Sequence, residues 1–175
     1  MVVLGLMLKK IFFSLLVLML LTTGCGIFNL TNFVMPDDLE FIAVVESLDT
    51  PEKIGNYMTE NFTYKIHGLY ASDPYTLWKI KEGDCNDFST FGTFVANYHG
   101  YETYQIEIYY GTMYAHYLGV YVEDMYSFTD NRSYHYGFNT FKDIVNESEK
   151  YTGLQWKSYI VYDYFRKIIK RGINE

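Results

Sequence analysis

Cys85, His116 and Asp130 are the residues whose types, in that chain order, could carry out acyl transfer. A thiolate attacks an acyl carbon, and it stays deprotonated only beside a base or an ion-pair partner. The usual partner is a histidine, itself oriented by a third polar group. In this reading Cys85 attacks. His116 acts first as base and then as acid toward the leaving amine, and Asp130 fixes the imidazole tautomer. The oxyanion formed on the way needs hydrogen-bond donors. The backbone N–H of Cys85 is one, and Tyr64 and Trp78, both upstream, are candidates for a side-chain donor.

The sequence around Cys85 predicts how it is held. In Gly83-Asp84-Cys85-Asn86-Asp87, Asp84 can cap a helix and Asp87, three residues later, can complete a capping box. Phe88, Phe91, Val95 and Tyr98 then recur at helical spacing, which predicts one buried stripe, and Gly100 supplies a stop. Cys85 is thus expected in the first turn, where free N–H groups and the positive helix end favour a thiolate.

His116 and Asp130 follow from strand patterning. His116, Leu118, Val120 and Val122 alternate along one expected strand, 114–122, and Tyr126, Phe128 and Asp130 along the next. Keeping apolar faces together pairs Leu118 with Phe128 and Val120 with Tyr126, which sets His116 opposite Asp130. A shift of two residues keeps both on one face, as diagonal neighbours. Either way a three-residue or bulged turn is expected near Glu123-Asp124. His135 is the rival base, in an expected loop after Arg132.

Helices are expected from Pro36-Asp37-Asp38 to about Leu48, from Thr50-Pro51 to about Asn61, and from Asp73-Pro74 to about Ile80. Tyr104, Ile106, Ile108 and Tyr110 alternate on a strand spanning 101–110. Thr140–Tyr151 reads as a helix, Trp156–Tyr162 as a last strand, and the basic tail with Arg166, Lys167, Lys170 and Arg171 as a helix.

The N-terminus has the layout of an export signal. Lys9 and Lys10 precede an apolar run, Ile11–Leu21, whose eleven residues suit a signal peptide and are short for a membrane span. Leu21-Thr22-Thr23-Gly24-Cys25 resembles the lipobox of bacterial prolipoproteins, with Thr22 where leucine is usual. The resemblance implies cleavage after residue 24 and lipidation of Cys25, with an uncleaved anchor helix as the alternative; the residues that follow read as a tether over 25–35 and one domain over 36–175. The domain would sit on the extracytoplasmic face of a bacterial membrane. With Cys25 acylated, Cys85 has no disulfide partner, so it is either a reactive thiol or an inert buried one.

Composition narrows the classes. Hydrophobic residues make up 49% of the chain and aromatics 19%, enough for a real core. The net charge of −7 argues against a nucleic-acid binder. His67, His99, His116 and His135 are scattered, so neither a metal site nor a cofactor is expected.

Gly83-Asp84-Cys85-Asn86-Asp87-Phe88 resembles the G-D-C-x-D-[YF] signature of transglutaminase-like proteins, most closely the bacterial transglutaminase-like cysteine proteinases. His116-Tyr-Leu-Gly-Val-Tyr-Val resembles their histidine strand, and Phe128-Thr-Asp130-Asn131 their aspartate segment. The resemblance implies an α+β, papain-like core, with N-terminal helices and a Cys-bearing helix packed on an antiparallel sheet. It also implies a thiol-dependent peptidase or amidase acting on a peptide or protein outside the cytoplasm. Protein crosslinking by transamidation shares the acyl-enzyme and is the near alternative. A binding lipoprotein that kept the fold without activity is the non-enzymatic one. Peptidoglycan endopeptidases of the NlpC/P60 type also open with Asp-Cys, but they continue with Ser-Gly and use a second histidine, which this chain does not match.

Overall fold

Asp38, Thr50, Asp73 and Asp84 each open a helix by the same device, a short oxygen-bearing side chain accepting a backbone N–H that the first turn leaves unpaired. They start α1 (Leu39–Ser47), α2 (Pro51–Asn61), α3 (Pro74–Ile80) and α4 (Cys85–Tyr98). In α2 and α3 a proline follows the cap, where its missing N–H costs nothing. These four starts stand where the sequence predicts them. The structure is a computed structural model that describes residues 33–66, 71–111, 115–131 and 133–174. The leader, its cleavage site, Cys25, most of the expected tether and His67 lie outside the described residues. The end of the expected tether is not free, because Phe33 meets the ring of Phe94 edge-on and Met35 packs on the helical core.

The fold is α+β, as expected. A two-residue parallel pair joins β1 (Thr63–Tyr64) to β2 (Glu82–Gly83). The main sheet has six strands in the order β6-β5-β4-β3-β7-β8, each antiparallel to its neighbours. They are β3 (Thr103–Tyr109), β4 (Ala115–Val122), β5 (Tyr126–Asp130), β6 (Ser133–Phe138), β7 (Ser158–Asp163) and β8 (Ile168–Ile173), with α5 (Phe141–Thr152) before β7. Among the described residues, no helix is long and apolar enough to cross a membrane.

Strand alternation divides the apolar residues into two cores. One joins α1 to α4 with Tyr121 and is rich in phenylalanine, Phe41, Phe88 and Phe91 being fully buried. The other lies on the opposite face, where Ile106, Ile108, Leu118, Val120, Phe128 and Val161 meet Phe141, Ile144 and Val145 of α5. At roughly 1.5–3 kcal/mol per buried large side chain, both cores hold the sheet that lies between them. The α4 stripe differs from expectation at one end, where Tyr98 is half exposed.

Three sequence readings need correction. The basic tail is a strand, β8, not a helix. A turn closed by Asp163 and Lys167 folds it back, with Arg166 in the left-handed region, and Lys170 pairs with Val161. A lone segment with two adjacent isoleucines is ambiguous, and pairing with β7 decides it. Residues 133–138 form β6 rather than a loop. Asn131 adopts a left-handed φ of 54° and lets the chain reverse after Asp130, a conformation asparagine tolerates well. Finally, the β4–β5 register differs by two residues from the favoured pairing. Leu118 pairs with Asp130 and Val120 with Phe128. The turn does have three residues, Glu123 to Met125, but it begins one residue later because Val122 stays paired with Tyr126.

Candidate functional site

Gly83-Asp84-Cys85-Asn86-Asp87 forms a small, fully specified device. The Asp84 carboxylate accepts the N–H of Asn86 at 2.9 Å, and Asp87 returns the capping box by accepting the N–H of Asp84 at 2.6 Å. The second oxygen of Asp87 accepts the N–H of Ser72 at 2.5 Å and so ties the segment before α3 to the start of α4. Asp87 is fully buried, and these bonds compensate for burying its charge. Gly83 is required by the same contact. A Cβ there would lie 2.7 Å from Leu77 Cδ1 and 2.8 Å from Asp87 Cβ. Cys85 is the first residue of the helix, and the cap does not use its N–H.

α4 is set on the sheet by close approach. A Cβ at Gly92 would stand 2.3 Å from the Tyr121 hydroxyl, and one at Gly119 would meet the Ser89 carbonyl at 3.4 Å. Gln105 Nε2 donates toward the hydroxyls of Thr90 and Thr93 at 3.3 and 3.4 Å. The helix therefore lies over β3 and β4 on the Gly119–Tyr121 face.

His116 pairs with Ile108 across β3–β4, on the opposite face. The β4–β5 ladder ends at Leu118–Asp130, so His116 stands two residues beyond the last pair and has no β5 neighbour on that flank. Its Nε2 lies 2.7 Å from Asp130 Oδ1, and Cys85 is near enough to act on its ionisation. Burial, which disfavours an imidazolium, is the largest single influence on this histidine. The hydrogen bonds and charges of Asp130 and Cys85 together outweigh it and push the pKa up to about 10. The tertiary structure thus brings together all three residues selected from the sequence. His116 is 4% exposed and Cys85 9%.

A pocket of about 450 Å³ opens onto this group. Tyr64, His116, Asp130, Asn131, His135 and Tyr151 are among the residues that line it. Cys85 is not among them, so the pocket presents the imidazole and carboxylate side of the group. Tyr64 belongs here. It is paired with Gly83, two residues before Cys85, and its ring meets Phe88 edge-on. Trp78, the other suggested donor, does not. Its ring lies against Phe41 and Tyr75 in the helical core, where the ammonium groups of Lys79 and Lys81 also approach it.

His135, the rival base, lines the same pocket but contacts neither Asp130 nor Cys85 by hydrogen bond. Its ring stacks on Phe128 with centroids 4.7 Å apart, and Nδ1 lies 3.2 Å from the Tyr151 hydroxyl. Burial lowers its pKa and keeps it neutral near pH 7. His99 ends α4, with Nε2 2.8 Å from the Val45 carbonyl, a structural contact. Among the described residues, no group of three or more His, Cys, Asp or Glu could hold a metal ion.

The sequence predicts α5 as a helix but does not show that it borders the site. Tyr151 and Thr152 line the pocket, and Ser148 places its hydroxyl 3.3 Å from Asp130 Oδ2. The available signal was the stripe Phe141, Ile144, Val145, which carries residue 148 onto the buried face.

No family model matches the chain, and no curated protein matches it either.

Proposed function

We propose that this chain is a thiol-dependent acyl hydrolase, a cysteine peptidase or amidase with a transglutaminase-like, papain-like core. It acts outside the cytoplasm and is anchored to a bacterial membrane through Cys25. The observation that carries the reading is the position of His116, whose imidazole contacts Asp130 through Nε2 and has its ionisation raised by a neighbouring cysteine in the first turn of a capped helix.

The chemistry follows from that arrangement. With Nε2 held by Asp130, Nδ1 is the ring nitrogen left to exchange a proton with the sulfur. Below its raised pKa the ring is an imidazolium, the partner that a thiolate requires. The thiolate attacks the acyl carbon and the C–N bond breaks. The imidazolium proton passes to the departing amine, leaving a thioester on Cys85 and a neutral His116. A water then gives its proton to His116 and adds to the thioester, and the collapsing intermediate expels the thiolate. The Cys85 N–H, unused by the cap, is one oxyanion donor. The Tyr64 hydroxyl, on the strand paired with Gly83, is the favoured side-chain donor over Trp78.

The test is to treat the full-length chain in detergent with iodoacetamide across pH, comparing wild type with His116→Ala. Alkylation of Cys85 that persists well below pH 8 in wild type and disappears in the variant supports the reading. A thiol with an ordinary midpoint of about 8.5 in both proteins overturns it. Incubating candidate peptides with and without a primary amine then separates hydrolysis from transamidation.

A further inference from the structure

The buried face of α5 reads Phe141, Ile144, Val145, Ser148. Three of these fill the second core as apolar side chains normally do. The fourth is a fully buried hydroxyl, which costs free energy unless it is hydrogen-bonded. A serine within a helix commonly turns back to the carbonyl four residues earlier. Ser148 instead lies 3.3 Å from Asp130 Oδ2 and 3.2 Å from the Tyr110 hydroxyl. An ionised carboxylate only accepts, so Ser148 donates to Asp130 and Tyr110 donates to Ser148.

We infer that Ser148, supported by Tyr110, is a positioning residue for the Cys85–His116–Asp130 group, and that α5 completes the site from the sheet face opposite α4. The inference rests on the function proposed above. Asp130 offers two oxygens, and Oδ1 is taken by His116. Asp130 stands at the end of β5, just before the left-handed Asn131, so the backbone alone does not fix the rotation of its carboxylate. A donor on Oδ2 fixes that rotation and keeps Oδ1 aimed at Nε2. A neutral hydroxyl suits the role, because a cationic donor would offset the negative charge that His116 needs.

Ser148→Ala would remove the donor without adding bulk, Ser148→Thr would restore the hydroxyl, and Tyr110→Phe would remove only the outer link. The readout is the His116 titration, followed by NMR on the full-length chain, with the iodoacetamide rate at Cys85 alongside. A freed carboxylate swings, the contact with Nε2 lengthens, and the His116 midpoint falls. The expected result for Ser148→Ala is a midpoint lower by about one pH unit and alkylation slower by about threefold to tenfold at pH 7. Tyr110→Phe should show a smaller change in the same direction, and Ser148→Thr values near wild type. An unchanged or raised midpoint in Ser148→Ala overturns the positioning role. A rise would mean that Ser148 only withdraws charge from Asp130. If wild-type Cys85 reactivity proves independent of His116, the underlying functional reading fails, an outcome separable from the failure of Ser148 alone.

Discussion

His116 and Asp130 are joined by a 2.7 Å contact although they are not paired in the sheet, because Asp130 faces Leu118 across the β4–β5 ladder. The bond is diagonal. It spans the point where β5 ends and β4 continues, so the imidazole is oriented by a carboxylate to one side of it.

This contact makes stability depend on pH. The His116 pKa is about 10 in the fold against an ordinary 6.5. A raised pKa in the folded state means that the interaction contributes fully below about pH 6.5 and is lost as pH rises through 10. Urea unfolding of wild type between pH 6 and 10.5 should show a decline on the order of a few kcal/mol. Asp130→Asn should be less stable at pH 6 and should flatten that decline. A wild-type profile as flat as that of Asp130→Asn would rule out the coupling.

Reactivity should follow the same contacts. His116→Ala should slow alkylation of Cys85 at pH 7 by about tenfold or more, because the sulfur loses its cationic neighbour. Asp130→Asn should fall between wild type and His116→Ala, since it leaves an imidazole with a weaker partner. Rates measured by mass spectrometry at several pH values check the order. Equal rates in all three proteins would contradict it.

The loop before α4 should be intolerant of small changes. Gly83→Ala pushes a methyl to within 2.8 Å of both Leu77 and Asp87 and should cost about 1–3 kcal/mol. Asp87→Ala strands the N–H groups of Ser72 and Asp84 and should cost about 3 kcal/mol. Denaturant midpoints measure both. A Gly83→Ala variant as stable as wild type would show that Leu77 and Asp87 can give way.

The seating of α4 on β4 predicts a compensating pair. Gly92→Ala sets a methyl 2.3 Å from the buried Tyr121 hydroxyl and should destabilise by about 1–3 kcal/mol, despite the better helix propensity of alanine. Tyr121→Phe removes that oxygen but leaves Thr129 without its 2.8 Å partner, costing about 1 kcal/mol. The double variant should be more stable than the two single losses combined, with a coupling of about 1 kcal/mol. Simple additivity would mean that the hydroxyl is not what excludes the methyl.

What the sequence determined by itself was local. A cap needs one oxygen and the next three residues, so Asp38, Thr50, Asp73 and Asp84 announced their helices. Alternation needs only neighbouring residues, so β4 and β5 and the common face of His116 and Asp130 were legible. The choice between two registers was not, because a shift of two residues preserves every face. It was decided by Val122 and Tyr126 staying paired beside the turn. The tail was misread because Ile168 and Ile169 suit a strand only when another strand lies beside them. Tyr64 and Trp78 looked alike upstream of Cys85. Pairing with Gly83 carried Tyr64 to the pocket, while packing on Phe41 and Tyr75 held Trp78 in the core. Ser148 could not be connected to Asp130 at all, since they lie 18 residues apart on different elements and meet only where α5 closes over the sheet. The sequence thus placed Cys85, His116 and Asp130 on their elements, through short-range hydrogen bonds and periodicity. Only long-range packing decided which of them touch.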